Sequence, residues 1–160
     1  MIHLIYASET GNAQSIAEDA EVHFKNQGHR VRLIDMEDLQ LKDFETMDIL
    51  LAAVSTWGDG DPPCSAEDFF SELQSSDEPL SHVRFAVYAL GDTAYDSFCQ
   101  FGKDLDAELA RHGARQLLPV LENDVDFEEN FDSWLEDLDA FMDAPQPDSV
   151  IESRPPSVVA

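Results

Sequence analysis

The apolar residues of this chain fall into two alternating patterns, short continuous runs and longer stretches with helical spacing. The continuous runs predict five strands, at residues 2–6, 30–34, 49–54, 85–90 and 116–121. The spaced stretches predict four helices, at residues 14–27, 66–74, 98–112 and 130–142. The connection between the second and third strands predicts at most a helical turn carrying Leu39 and Leu41.

Each predicted helix has one apolar face for packing against strands. In the first helix Ile16, Ala17, Ala20, Val22 and Phe24 lie at mostly helical spacing, and in the third Phe101, Leu105 and Leu109 share one face. The residues expected to face inward are Phe69, Phe70 and Leu73 in the second helix and Phe131, Trp134, Leu135, Leu138 and Phe141 in the fourth. Strands that alternate with helices in this way predict an α/β fold, a parallel sheet with helices on both faces. Ligands of such sheets bind beyond the carboxyl ends of the strands, so function is expected in the loops there.

The loop after the first strand, residues 7–13, combines hydroxyls, a glycine and an asparagine immediately before a helix. Such a turn directs backbone N–H groups and the positive end of the helix dipole at one spot, which favours an anion. Ser8 and Thr10 add hydroxyl donors, and the absence of Lys and Arg suits a phosphate monoester held by neutral groups. An ordinary helix cap by Ser8 or Thr10 explains the same residues equally well.

Two further loops rich in turn-forming residues follow the third and fourth strands, at residues 55–63 and 91–96. Because the carboxyl ends of parallel strands share one edge, both loops should meet the first loop there. Trp57 in one and Tyr95 in the other favour a flat ring stacked between them, although each could instead anchor its own loop against the helices. A planar ring joined to a phosphate is a nucleotide, and FMN fits this combination best.

Net charge changes the expectation about partners. The 160 residues include 9 Lys and Arg against 34 Asp and Glu, a formal net charge of −25. Nucleic acid and anionic membrane are poor partners for such a surface, whereas a basic protein would be attracted to it. Acidity that only keeps the protein soluble, or adaptation to a salty host, explains the charge as well.

Length and composition predict one domain at residues 1–142, followed by a flexible, proline-containing tail at residues 143–160. No apolar run is long enough to span a membrane, and the N-terminus does not have the pattern of a signal peptide. Cys64 and Cys99 form no CxxC motif, so reduced thiols are expected. We therefore expect a cytoplasmic protein that is monomeric.

Other kinds of site find little support in the sequence. It contains neither GxGxxG nor GxxxxGKS/T, which argues against dinucleotide and Walker-type phosphate sites. The five histidines do not have metal-ligand spacing. A receiver domain shares the fold class, but it needs a phosphate-accepting Asp after the third strand, where this chain has Ser55.

The three loops together resemble the FMN-binding loops of the flavodoxin family. The matching segments are Ser8-Glu9-Thr10-Gly11-Asn12-Ala13, Ser55-Thr56-Trp57-Gly58-Asp59-Gly60 and Leu90-Gly91-Asp92-Thr93-Ala94-Tyr95-Asp96-Ser97-Phe98-Cys99. They are most similar to the FMN domains of diflavin reductases, above all the sulfite reductase flavoprotein, and the likeness covers residues 1–141. It implies a short-chain flavodoxin with bound FMN and a doubly wound, five-stranded parallel sheet in the order 2-1-3-4-5.

The resemblance also implies roles for individual residues. Residues 8–13 would hold the FMN phosphate, Trp57 would lie against the inner face of the isoalloxazine, and Tyr95 against its outer face. Gly58 would turn its carbonyl toward the flavin N5, and Asp124 matches an acidic position near the flavin. Ala13 stands where many flavodoxins have a threonine, so one phosphate contact would be missing, as in the diflavin reductases.

These expectations lead to a carrier of single electrons without a substrate of its own, because bound FMN does the redox chemistry. It would pass electrons from an NAD(P)H-dependent flavoprotein reductase to an acceptor enzyme, both of them basic redox partner proteins. The alternative is an FMN-dependent NAD(P)H oxidoreductase that reduces quinone-like acceptors, which needs a nicotinamide pocket that Tyr95 would obstruct. An interaction module without FMN is a third alternative, tested by whether the purified protein is yellow.

Overall fold

A parallel β-sheet runs through the centre of the computed structural model, which describes residues 1–8, 11–56, 60–92, 94 and 96–143. Its strands are β1 (Ile2–Ala7), β2 (Val31–Asp35), β3 (Ile49–Ser55), β4 (Arg84–Leu90), β5 (Arg115–Gln116) and β6 (Leu121–Asn123). The strand order is β2-β1-β3-β4-β5, and β6 pairs with β4 further along that strand. This order and the parallel pairing confirm the predicted fold class.

In the described part of the chain, helices cover both faces of this sheet: α1 (Asn12–Asn26), α2 (Glu67–Ser75), α3 (Gln100–Arg111) and α4 (Phe131–Asp143). One core cluster contains residues of α2 and α3, and the other contains residues of α1 and α4. Successive β3 residues alternate between them, since Leu50 and Ala52 belong to the first cluster and Leu51 and Ala53 to the second. Burial on both faces explains why the central strands are continuous apolar runs.

Most residues that the helical spacing places inward are buried. Among the apolar residues of the first helix, Val22 is exposed over 57% of its surface. It lies on the opposite side of α1 from Ile16, Ala20 and Phe24, which are buried against the sheet. In α4, Trp134, Leu135 and Leu138 are buried as predicted, whereas the two terminal aromatics of that face, Phe131 and Phe141, are half-buried.

The fifth strand departs from the sequence prediction. Instead of one strand at residues 116–121, two short segments pair with β4, at 115–116 and 121–123. Leu117 still donates its N–H to the Phe85 carbonyl at 2.7 Å, but Leu117 and Leu118 both pack against the core cluster that contains α4. Pro119 has no N–H for the ladder, so pairing resumes only at Leu121.

Some helix boundaries also differ from the prediction. Helix α3 begins at Gln100 rather than Phe98, because Cys99 has a left-handed backbone with φ 53°. The connection after β2 forms two 3₁₀ turns, Met36–Asp38 and Leu41–Thr46, with Leu39 between them. A third 3₁₀ turn, Cys64–Ala66, leads into α2.

The structure bears in part on two expectations about the whole chain, the one about membrane spans and the one about a flexible tail. None of the helices in the described ranges is long and apolar enough to cross a membrane. Helix α4 ends at Asp143, and the predicted tail beyond it, residues 144–160, lies outside the described residues.

Helix α3 lies so close to β4 that Gly102 has no room for a side chain. A Cβ on Gly102 would lie 2.3 Å from the Ala89 Cβ. We therefore expect Gly102→Ala to lower the free energy of unfolding by about 1–3 kcal/mol, because overpacking must move the helix off the strand. Helix propensity alone would favour alanine by about 1 kcal/mol, so the sign of the change separates the two effects.

Denaturant unfolding of both proteins measures this difference. Ala107→Gly, at an exposed position of α3, calibrates the helix propensity at a site without close contact. A Gly102→Ala protein that is more stable than the parent would contradict the close packing.

Candidate functional site

The carboxyl ends of the central strands lie side by side at one edge of the sheet. Ala7 pairs with Val54, Ser55 with Leu90, and Leu90 with Asn123. The loops after β1, β3, β4 and β6 therefore leave the sheet together, as the sequence predicts for the first three. We term these loops, at residues 8–13, 55–63, 91–99 and 124–130, the first, second, third and fourth edge loops.

The first edge loop turns back on the hydroxyl of Ser8. Its Oγ accepts the N–H of Gly11 at 2.8 Å and that of Ala13 at 3.4 Å. Gly11 has φ 89°, a left-handed conformation that glycine adopts without strain, and α1 begins at the next residue. The predicted helix-capping role of Ser8 is therefore present.

The same loop fits a phosphate group. The first-turn N–H groups of α1 have no acceptor within the helix, and that turn contains no carboxylate. A Cβ on Gly11 would meet no described atom within 4 Å. Neutral donors at a helix N-terminus suit an anion. Glu9 and Thr10, also predicted to contact the phosphate, lie outside the described residues.

Hydroxyl groups in the second edge loop hold it to its neighbours. Ser55 Oγ donates to the Ala7 carbonyl at 3.3 Å, which ties the start of this loop to the end of β1. Thr56 donates its N–H to the Leu90 carbonyl at 3.2 Å, and its Oγ1 accepts the Phe101 N–H at 2.9 Å. Thr56 thus caps α3, the helix that follows the third edge loop. Trp57 and Gly58, the predicted flavin contacts, lie outside the described residues.

The third edge loop closes tightly on itself and on the second. A Cβ on Gly91 would lie 2.8 Å from the Cys99 nitrogen, so the two ends of the loop touch. A Cβ on Gly60 would lie 3.0 Å from the Ser97 Cβ, which brings the second loop against the third. Asp92 Oδ1 accepts the Ala94 N–H at 2.8 Å and shapes the turn between these ends.

The residues of this loop that were predicted to contact the cofactor differ in their exposure. Asp96 and Ala94 are exposed, and Ser97 and Phe98 are half-buried. Leu90 has its side chain in the core, and so does Ala13 of the first loop, so only the backbone of either residue can serve a ligand. Thr93 and Tyr95 lie outside the described residues.

Cys99 is buried beneath the third edge loop. Its thiol contacts the carbonyls of Ala89 and Asn123 at 3.6 and 3.5 Å. Burial raises the pKa of the Cys99 thiol to about 11, so the group stays protonated at neutral pH. Its side chain therefore supports the loop from inside and does not offer a thiolate to a ligand.

Sequence reasoning missed Asn123, the last residue of β6. It is 1% exposed, and its side-chain amide bonds to the Ala89 carbonyl at 3.0 Å and to the Asn130 side chain at 3.1 Å. The sequence signal that could have found Asn123 is its amide side chain, which stands between the apolar run of the predicted fifth strand and the acidic fourth edge loop. Asp124, which was predicted, is half-buried and accepts the Val125 N–H at 2.8 Å.

Acidic residues predominate at this edge of the sheet. Residues 8–13, 55–63, 90–99 and 121–130 include no Lys or Arg, but they contain ten acidic residues: Glu9, Asp59, Asp61, Asp92, Asp96, Glu122, Asp124, Asp126, Glu128 and Glu129. Lys103 in the first turn of α3 lies close by, and it pairs with Glu122 at 3.4 Å. Arg30, Arg84 and Arg115 lie instead where β2, β4 and β5 begin, at the opposite edge.

Comparison with known proteins agrees with this geometry. Residues 4–134 match the family described as Flavodoxin. The chain belongs to the flavodoxin family. Curated relatives include the sulfite reductase (NADPH) flavoprotein alpha-components of Shewanella sp. strain MR-7, 39% identical over 138 residues, and of Buchnera aphidicola subsp. Schizaphis graminum, 36% identical over 139 residues. Each alignment covers 86% of this chain and 23% of the relative, so the chain spans about a quarter of their length.

Solved flavodoxins have the same fold. The flavodoxin of Streptococcus pneumoniae TIGR4 has a TM-score of 0.77 at 28% identity, over 88% of this chain and 98% of that one. Flavodoxin 2 of Bacillus cereus has a TM-score of 0.76 at 30% identity, with the same coverage of both chains. At 21% identity, a cysteine-to-alanine mutant of Pseudomonas aeruginosa flavodoxin has a TM-score of 0.79 over 89% of this chain and 99% of that one, and supports the fold alone.

Family membership indicates what the chain does. The chain is an FMN-binding electron-transfer protein. That the first edge loop holds the phosphate of FMN stays a prediction. The stacking roles of Trp57 and Tyr95 and the carbonyl contact of Gly58 stay predictions.

The hydroxyl of Thr56 is expected to stabilise the site by capping α3 from the neighbouring loop. Thr56→Val keeps the shape of the side chain but leaves the Phe101 N–H without its acceptor. An unsatisfied buried donor costs about 1–3 kcal/mol, so the unfolding free energy should fall by that amount and FMN affinity should fall with it.

Denaturant unfolding of the apoprotein and FMN titration measure the two effects of Thr56→Val. Thr46→Val, at an exposed position in the 3₁₀ turn before β3, is the matched control and should change neither quantity. Equal stability of the two valine variants would contradict the capping role of Thr56.

Proposed function

We propose that this flavodoxin carries single electrons from an NAD(P)H-dependent flavoprotein reductase to an acceptor enzyme, and that both partners dock on the edge loops. The observation that carries this proposal is the concentration of carboxylates in the loops at one edge of the sheet. We further propose that it works as a cytoplasmic monomer with one FMN domain at residues 1–142, because the sequence predicts reduced thiols and a single core.

Different residues of the edge loops would contact different parts of the cofactor. Ser8 and the first turn of α1 would donate hydrogen bonds to the phosphate. Trp57 and Tyr95 would cover the two faces of the isoalloxazine and keep water from it. Bound FMN supplies the chemistry, because it accepts and releases electrons one at a time. The chain itself binds the cofactor, orients it and presents one edge of it to partners.

A basic partner fits the charge of this surface. Asp61, Asp96 and Asp126 are exposed on three different edge loops, so the negative potential surrounds the flavin position on several sides. Near the opposite edge carboxylates pair with the cations, Lys25 with Glu21 at 3.0 Å and Arg111 with Glu108 at 2.7 Å, so the strong negative charge belongs to the edge loops. A protein with its charge concentrated in this way is oriented during approach, because its dipole turns the acidic edge toward a basic surface.

An apolar residue stands out within this acidic surface. Val125 is 63% exposed and lies between Asp124 and Asp126 in the fourth edge loop. Exposed aliphatic side chains with charged neighbours resemble the centre of a small interface, where the apolar contact is desolvated and the charges surround it. We propose that Val125 contacts the partner directly.

The phosphate site should make the protein prefer FMN over riboflavin. Hydrogen bonds to a charged phosphate contribute about 1.5–3 kcal/mol each, so several of them should separate the two dissociation constants by roughly 100-fold or more. Ser8→Ala should reduce this ratio by weakening FMN alone, whereas Ser15→Ala, at an exposed position of α1, should not change it. Fluorescence titration of apoprotein measures both ligands, and equal affinities would refute the phosphate site.

The acidic edge should accelerate reduction of a basic partner. Neutralising Asp61, Asp96 and Asp126 to Asn should slow electron transfer to a basic c-type cytochrome by about tenfold at low salt, mainly through the association rate. The effect should shrink as salt rises, because screening acts over roughly 8 Å at physiological ionic strength. Stopped-flow mixing of photoreduced protein with the cytochrome measures the rate.

The control for this experiment removes the same amount of charge elsewhere. Asp19, Glu136 and Asp137 are exposed on α1 and α4, and their replacement by Asn or Gln should leave the rate nearly unchanged. Equal losses in the two triple variants would mean that only the net charge matters. Rapid reduction of the protein by NADPH without a reductase would instead favour the NAD(P)H oxidoreductase alternative.

A further inference from the structure

Asn123 has an unusually complete set of hydrogen bonds for a buried side chain. Its Nδ2 donates to the Ala89 carbonyl at 3.0 Å and to the Leu121 carbonyl at 3.2 Å. Its Oδ1 accepts the side-chain N–H of Asn130 at 3.1 Å. One amide therefore joins β4, β6 and the residue immediately before α4. Both of its N–H groups have acceptors, so burial of the amide carries little desolvation penalty.

The backbone of the same residue holds both ends of the third edge loop. The Asn123 carbonyl accepts the N–H of Gly91 at 2.8 Å, where that loop begins. It also accepts the thiol of Cys99 at 3.5 Å, where the loop ends. The fourth edge loop starts at the next residue, Asp124. A displacement of Asn123 would consequently move the third and fourth loops relative to each other.

The shortness of the strand that ends at Asn123 explains what such a side chain contributes. Strand β6 is only three residues long and follows the interruption at Pro119. A strand this short is held by few backbone hydrogen bonds and is therefore held weakly. An apolar residue at position 123 would add packing contact but would not fix the register of the strand. A buried amide with directional bonds specifies one position for the strand end, because every other position leaves polar groups unsatisfied.

We propose that Asn123 is a positioning residue for the ring part of the cofactor site. It acts through the third and fourth edge loops and does not contact the phosphate loop. This inference rests on the FMN-binding function of the edge loops, but the placement of the loops themselves can be measured without cofactor. It predicts that loss of the amide disturbs the ring environment and leaves phosphate recognition intact.

The first experiment compares ligands. Asn123→Ala should weaken FMN and riboflavin by the same factor, roughly tenfold, so that the ratio of their dissociation constants stays at the parent value. The visible circular dichroism of protein saturated with FMN should also change, since it reports the surroundings of the ring. Asn123→Asp, which has the same size but presents oxygen to the Ala89 and Leu121 carbonyls, should behave at least as severely.

The second experiment uses apoprotein and does not depend on the cofactor. Amide hydrogen exchange at Gly91 should accelerate roughly tenfold in Asn123→Ala, because its acceptor is then held less firmly. Exchange at Leu4 in β1 should stay at the parent rate. A parent protein that bound no FMN would refute the function, whereas unchanged exchange at Gly91 would refute the role of Asn123.

His112 provides a matched control at the opposite edge of the sheet. It is 6% exposed, and its ring nitrogens contact the carbonyls of Leu73 and Glu78 at 2.9 and 2.6 Å. His112→Ala should lower stability while the affinities of both ligands and the visible spectrum stay unchanged. If it altered them as much as Asn123→Ala does, the effect would be a general loss of stability and the proposal would fail.

A milder variant keeps the test decisive if Asn123→Ala does not fold. Asn130→Ala removes a single bond to Asn123 and leaves its two carbonyl contacts in place. It should produce a smaller change of the same kind, a parallel loss for both ligands with faster exchange at Gly91. No change in either measurement would overturn the proposal.

Discussion

The site depends on the parallel pairing of β1, β3 and β4 in one register. Ala7 lies opposite Val54, and Ser55 lies opposite Leu90, so three strands end together. Parallel strands cannot be joined by tight turns, and β1, β3 and β4 are each followed by a helix that returns the chain to the opposite edge. Polar loops therefore collect at one edge above a core that is apolar on both faces. Cofactor binding then needs only the right residues in loops that the sheet already brings together.

The edge loops use many of their polar groups on one another. Ser8 closes the first loop, Thr56 caps the helix after the third, and the Asn123 carbonyl holds both ends of that third loop. Each of these bonds reduces the freedom of a loop before any ligand arrives. Preorganised donors bind a ligand more tightly, because less ordering is left to be done on binding. The hydrogen bonds that stabilise the apoprotein thus also prepare the cofactor site.

Acidic residues are concentrated at the edge of the sheet where the strands end. The edge loops contain carboxylates without Lys or Arg, whereas Arg30, Arg84 and Arg115 lie where strands begin. The buried core does not require this arrangement, since exposed charges contribute little to the stability of a fold. Its physical consequence concerns the approach of other molecules, because a negative edge attracts basic surfaces. It would also oppose further negative charge on a flavin bound by these loops.

The sequence by itself determined the fold class, the loops that form the site and the helix faces that pack inward, because hydrophobic periodicity is a local property. The same periodicity did not distinguish the exposed Val22 from the buried residues of its helix, and it joined residues 116–121 into one strand across Pro119. Only the tertiary structure decided that Thr56 caps α3 and that Asn123 holds β4, since these partners lie 45 and 34 residues away along the chain. Hydrogen bonds between distant segments leave no periodic pattern, and they exist only after the strands have paired.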